Sequence, residues 1–218
     1  MSTKQKPITA SELMAELAAD PEYQARLAEK EQIRLEKSAR LGVAEEPLVQ
    51  ALNAIGLDIT SVWDLVSTHE RYDAALPVLA EHLERDYPPE IQEGIARAMA
   101  VPESMKWRED FIRLFRNLPR MPEGKRDGVR DGLAVAIGNT TGPHNVWETM
   151  ELLRDPLLGE SRIFMLRVLG KAKESEVREA LLELRERDPQ LRNAISDLSW
   201  VKKLDRERKQ AVTSSQRH

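Results

Sequence analysis

Gly94-Ile95-Ala96-Arg97-Ala98-Met99, Gly132-Leu133-Ala134-Val135-Ala136-Ile137, Phe164-Met165-Leu166-Arg167-Val168-Leu169 and Ala194-Ile195-Ser196-Asp197-Leu198-Ser199 carry one apolar pattern four times. They recur at offsets of roughly 30 to 38 residues, within or just short of the known helical-repeat periods. Each stretch reads as the core of the second helix of an amphipathic pair. The predicted pairs are 73–86 with 89–100, 105–118 with 125–138, 145–155 with 160–171, and 175–187 with 189–203. An all-α chain follows, an α-solenoid of about four helix pairs over residues 71–204 with an N-terminal helical extension.

Proline punctuates this pattern. Pro89 and Pro189 start second helices, and Pro143 and Pro156 end or separate helices, because the ring fixes φ and removes a donor. Pro77, four residues after the candidate cap Asp73, is expected to tilt its helix. The longest interruption, Asn117 to Gly124, is a candidate functional loop or an ordinary insertion between repeats.

Upstream, residues 1–8 read as a disordered lead. Thr9-Ala10-Ser11-Glu12 has the spacing of a capping box, and Asp20-Pro21 restarts the helix as cap and first position. From Glu22 to Arg40 charge dominates, which reads as a solvated helix or as an arm that docks on a partner. Pro47 to Ile55 forms a further helix closed by Gly56, and Ser61 to Val66 a short capped one that seals the first edge of the repeats. The extension and cap thus occupy 9–70. Residues 205–218 carry no apolar face and read as a flexible tail.

The 218 residues are enough for one domain or one short solenoid, and 41% hydrophobic with 32% charged residues suits thin helical layers with much exposed surface. A net charge of −4 gives no general attraction to nucleic-acid phosphates or anionic lipid. The absence of cysteine excludes disulfides, thiolate metal sites and a cysteine nucleophile. No apolar signal core or membrane-length run is present, so a cytoplasmic protein with no membrane partner is expected.

Ala75 to Leu83 followed by Glu93 to Met99, and Leu152 to Pro156 followed by Glu160 to Arg162 and Leu166 to Gly170, resemble HEAT repeats. The likeness spans Tyr72 to Leu204 and is to the small bacterial HEAT-repeat domain proteins. It implies fold strongly and function weakly, since such scaffolds serve many partners.

Chemistry-bearing residues are few. His69, His82, His144 and His218 show no metal-ligand spacing, and no phosphate loop or nucleophile elbow occurs. No catalytic residue, cofactor or metal is therefore expected. Trp107 and Trp147 fall near the starts of first helices, where core packing is the expected role. Gly94, Gly128 and Gly132 fall inside helices, at a cost near 1 kcal/mol each relative to alanine, for which close helix contact compensates.

Aligning the second helices on Ile95, Leu133, Met165 and Ile195 places Gln92, Arg130, Arg162 and Arg192 three residues before, and Arg97, Val135, Arg167 and Asp197 two residues after. In a HEAT-like solenoid the second helices line the concave side. Arg97, Arg130, Arg162, Arg167 and Arg192 are accordingly either a partner-binding stripe of planar cations or groups paired with Glu93, Asp131 and Glu160. The expected function is non-enzymatic: an interaction scaffold or adaptor that binds another protein on the concave face of the helical repeats. Two alternatives are an immunity or antitoxin-type protein that neutralises a basic toxin, and an enzyme resembling HEAT-like DNA glycosylases, which the negative charge disfavours.

Overall fold

Every secondary-structure element among the described residues, 9–119 and 125–215 of the computed structural model, is helical. The chain divides into two units, Met1–Glu46 and Pro47–His218. The lead at residues 1–8, the loop residues 120–124 and the last tail residues, 216–218, lie outside the described set.

In the first unit the Thr9 hydroxyl accepts the Glu12 amide and the Glu12 carboxylate accepts the Thr9 amide at 2.9 Å, the expected capping box. It opens α1, Ala10–Ala19, which buries no residue. Asp20 accepts the amides of Glu22 and Tyr23 and opens α2, Pro21–Ala54. Leu27, Ile33, Leu35 and Val43 stay exposed along α2, as a charge-dominated helix demands. A separate helix was expected from Pro47, but α2 runs through that residue. Proline removes one donor and need not end a helix whose other residues propagate it.

The second unit opens with Leu48 and Leu52, both buried, at the end of α2. Gly56, at φ 96°, takes the chain out of the helix in the left-handed region that glycine tolerates. A second capping box, Ser61 with Asp64, starts α3, Val62–Ser67. Further α-helices follow in sequence. First come α4 (Leu76–Leu83) and α5 (Pro89–Ala98), then α6 (Arg108–Asn117) and α7 (Gly128–Asn139). Next come α8 (Val146–Arg154) and the 3-10 segment Glu160–Met165 continued by α9 (Leu166–Leu169), and last α10 (Ser175–Arg187) and α11 (Pro189–Ser196). The chain closes with α12, Ser199–Ser215.

Each first helix or its 3-10 lead packs beside its own second helix, and the second helices pack on one another in chain order: α3 on α5, α5 on α7, α7 on Glu160–Met165 and α9, and that segment on α11. The core is the apolar seam this creates, with Ile95, Met99, Phe111, Phe115, Leu133, Ile137, Met150, Met165 and Ile195 buried.

Local differences from the sequence expectation have local causes. Pro77 is the second residue of α4, behind a 3-10 turn at Asp73–Ala75, so it sits where its missing donor costs nothing. The fourth second helix, expected over 189–203, breaks between α11 and α12. Residues from Arg206 to Ser215 continue α12 as helix where coil was expected, because Arg, Glu, Lys, Gln and Ala propagate a helix without an apolar face. No described helix is long and apolar enough to cross a membrane.

Candidate functional site

The last carbonyls of any helix lack intrahelical partners. In this chain the column three residues before each second-helix core supplies donors at these ends or just past them. Gln92 donates from Nε2 to the Arg85 carbonyl at 3.1 Å, just past α4. Arg130 donates from Nη1 to Phe115 at 2.8 Å and from Nη2 to Leu118 at 2.7 Å and Pro119 at 3.2 Å, the end of α6. Arg162 donates from Nη1 to Leu153 at 2.6 Å, the end of α8. Arg192 donates to Arg185 at 3.2 Å and Glu186 at 3.1 Å, the end of α10. Three of these four residues, Arg130, Arg162 and Arg192, thus serve carbonyls in the last turn of the preceding first helix, and Gln92 reaches a carbonyl two residues past the end of its own.

Burial follows from that role. Arg162 has no solvent exposure; it also donates to Asp188 Oδ2 at 2.8 Å, Gln190 Oε1 at 2.8 Å and the Gly159 carbonyl at 2.7 Å. Arg130 is 6% exposed and pairs with Asp127 at 3.1 Å. Neither guanidinium is open to a partner protein. Gln92 and Arg192 make their contacts nearer the surface.

The column two residues after each core faces outward. Arg97 and Val135 are half-buried, and Arg167 and Asp197 are exposed. Arg97 Nε donates to Glu93 at 2.8 Å, and Glu93 also accepts from Arg126 at 2.6 Å. Arg126 reaches on to Asp131 at 3.2 Å, which accepts the Ser161 hydroxyl at 2.7 Å. These contacts join α5, α7 and the Glu160–Met165 segment by charge. Arg167 makes no ion pair or hydrogen bond among the described residues, and Phe164 and Ile163, one helical turn before it, are exposed. The five sequence-predicted arginines are thus not one stripe: Arg130 and Arg162 are internal, Arg97 and Arg192 are engaged with their own chain, and Arg167 is the free cation.

A further buried arginine escaped the sequence reading. Arg108, the first residue of α6, donates from Nη1 to the Ile137 carbonyl at 2.7 Å, from Nη2 to Thr149 at 2.7 Å and from Nε to Glu148 at 2.9 Å, which ties α6, α7 and α8 together. Its acceptors lie roughly 30 to 40 residues onward, and within the charged stretch Lys106-Trp107-Arg108-Glu109-Asp110 no local pattern marks it for burial.

The tryptophans depart from the core role. Trp147 is 46% exposed and Trp63 is exposed too, while Trp107 is half-buried beneath the Lys106 ammonium 4.1 Å from its ring. Trp200 is half-buried and donates its indole N–H to the Gly170 carbonyl at 3.0 Å. His82 is buried, with Nδ1 2.7 Å from the Tyr87 hydroxyl, and burial followed by the nearby Arg85 charge holds its pKa below the ordinary histidine value. Asn139 donates its side-chain amide to the Ala100 carbonyl, and the Thr140 hydroxyl donates to the Ala136 carbonyl.

Exposed together across the Glu160–Met165 segment and α9 are the Arg167 guanidinium and the Ile163 and Phe164 side chains. Comparison with protein-family models, curated proteins and solved structures finds no match to this chain.

Proposed function

We propose that the second unit is a HEAT-like α-solenoid and that its work is non-enzymatic, holding another protein on the outward face of the stacked second helices. The repeat reading is supported by Arg130, Arg162 and Arg192, since the same position donates to a last-turn carbonyl of the preceding helix three times, and by Gln92, which reaches just past α4. The single observation that carries the binding reading is the exposed, unpaired Arg167 next to exposed Phe164 and Ile163. A desolvated arginine flanked by an aromatic anchor is the composition of an interface hot spot. The partner it suits presents a carboxylate beside an apolar side chain, because a planar guanidinium recognises a carboxylate with two parallel hydrogen bonds.

The test is competitive capture from cells of the native host by three immobilised forms: wild type, the double variant Phe164→Ala with Arg167→Glu, and the control Arg113→Ala on α6. A protein held by wild type and control but weakened about tenfold or more by the double variant supports the reading. Equal retention by all three rejects this face.

A further inference from the structure

Beyond the outward face, the junction of the third and fourth helix pairs holds a groove of about 520 Å³, within the size range of small-molecule sites. Pro156, Ala180, Leu184 and Pro189 give it an apolar floor. Arg154 and Arg187 line it from the last turns of α8 and α10.

Charge decides what such a groove accepts. Asp188 lines it too, but its carboxylate is spent: Oδ2 takes Arg162 at 2.8 Å, and Oδ1 takes the amides of Gln190 at 2.9 Å and Leu191 at 3.3 Å. Arg154 pairs with Glu151 at 2.8 Å, which leaves its other nitrogens available. Arg187 is exposed and makes no ion pair or hydrogen bond among the described residues, although Glu183 lies one turn earlier on the same helix. An apolar floor with an uncommitted guanidinium at its edge complements a molecule with a greasy body and one negative end.

We propose that this groove is a binding site for a small amphipathic carboxylate, whose apolar body lies on Ala180, Leu184 and Pro189 and whose carboxylate is held by Arg187. The proposal is independent of the scaffold reading. The Arg187 guanidinium supplies two parallel donors, and Arg154 adds a second positive charge across the groove.

Isothermal titration of the full chain with 4-phenylbutyrate tests it, beside 4-phenylbutanol, which has the same body without the charge. The expected result is saturable binding of the acid, with the alcohol weaker by about tenfold or more. Arg187→Glu, an exposed change that leaves the fold intact, is expected to weaken the acid by at least the same factor, and Ala180→Phe to block it by filling the floor. No saturable binding of the acid to wild type overturns the proposal. So does equal binding of acid and alcohol, or an unaltered affinity in Arg187→Glu.

Discussion

Arg162 is held without solvent because each of its three nitrogens donates to an oxygen: Nε to Gly159, Nη1 to Leu153 and Asp188, and Nη2 to Gln190. Its removal leaves the buried Asp188 Oδ2 and Leu153 carbonyl, with the half-buried Gly159 carbonyl, lacking the donor they now have, a loss of about 3–5 kcal/mol. Arg162→Ala is therefore expected to lower the urea midpoint steeply, whereas Arg167→Ala, which touches no partner, should shift stability by less than about 0.5 kcal/mol. Equal effects would show that the two arginines do not differ in role. The sequence made the arginine column legible but not its direction. An arginine on a helix face reads alike whether it points to solvent or to the end of the preceding helix, since its acceptors come close only when the pair folds back. Accounting for the open carbonyls of α6, α8 and α10 is the signal that could have distinguished them, because the column falls in the first turn of α7, of the Glu160–Met165 segment and of α11, which follow them.

Helices α5 and α7 approach closely enough that side chains would obstruct them. A Cβ on Gly132 would lie 2.9 Å from the Ala96 Cβ and 3.2 Å from the Glu93 carbonyl, and one on Gly94 would meet Val62 and Trp63 of α3. These glycines were readable as contact points, and the structure supplies the neighbours. Gly42, in contrast, lies exposed within α2 with nothing within 4 Å of an added Cβ. Two opposing terms set the outcome of an alanine: roughly 1 kcal/mol gained in helix propensity and about 1–3 kcal/mol lost where packed backbone must move. Gly132→Ala is expected to destabilise on thermal unfolding, and Gly42→Ala to slow amide hydrogen exchange in α2; the same sign at both sites would refute the contact argument. The positions of the helix pairs were legible because apolar spacing encodes them. The 3-10 openings at Pro102–Trp107 and Glu160–Met165 were not, since the spacing of buried residues barely separates a 3-10 turn from an α turn over six residues.

Over the whole molecule, the division at Pro47 falls earlier than the boundary near residue 70 that the repeat pattern suggests. Hydrophobic recurrence marks where the pairs begin, but Leu48, Leu52 and Val62 are as fully buried as the repeat cores and belong with them. Before Pro47 the balance reverses: α1 buries nothing, and the large apolar side chains Leu27, Ile33, Leu35 and Val43 of α2 are exposed. Removing residues 1–46 thus takes away charged helix and places Pro47 at the first position of the shortened α2, where a proline's fixed φ favours initiation. The 47–218 chain should keep a single cooperative transition by circular dichroism, with a midpoint within about 5 °C of the full chain, as expected when less than about 1 kcal/mol is lost. It should also keep any partner affinity that depends on Phe164 and Arg167, since both lie in the second unit. Loss of the cooperative transition would show that the buried leucines of α2 depend on the charged helix ahead of them, and retained folding with lost affinity would move the binding surface into the first 46 residues.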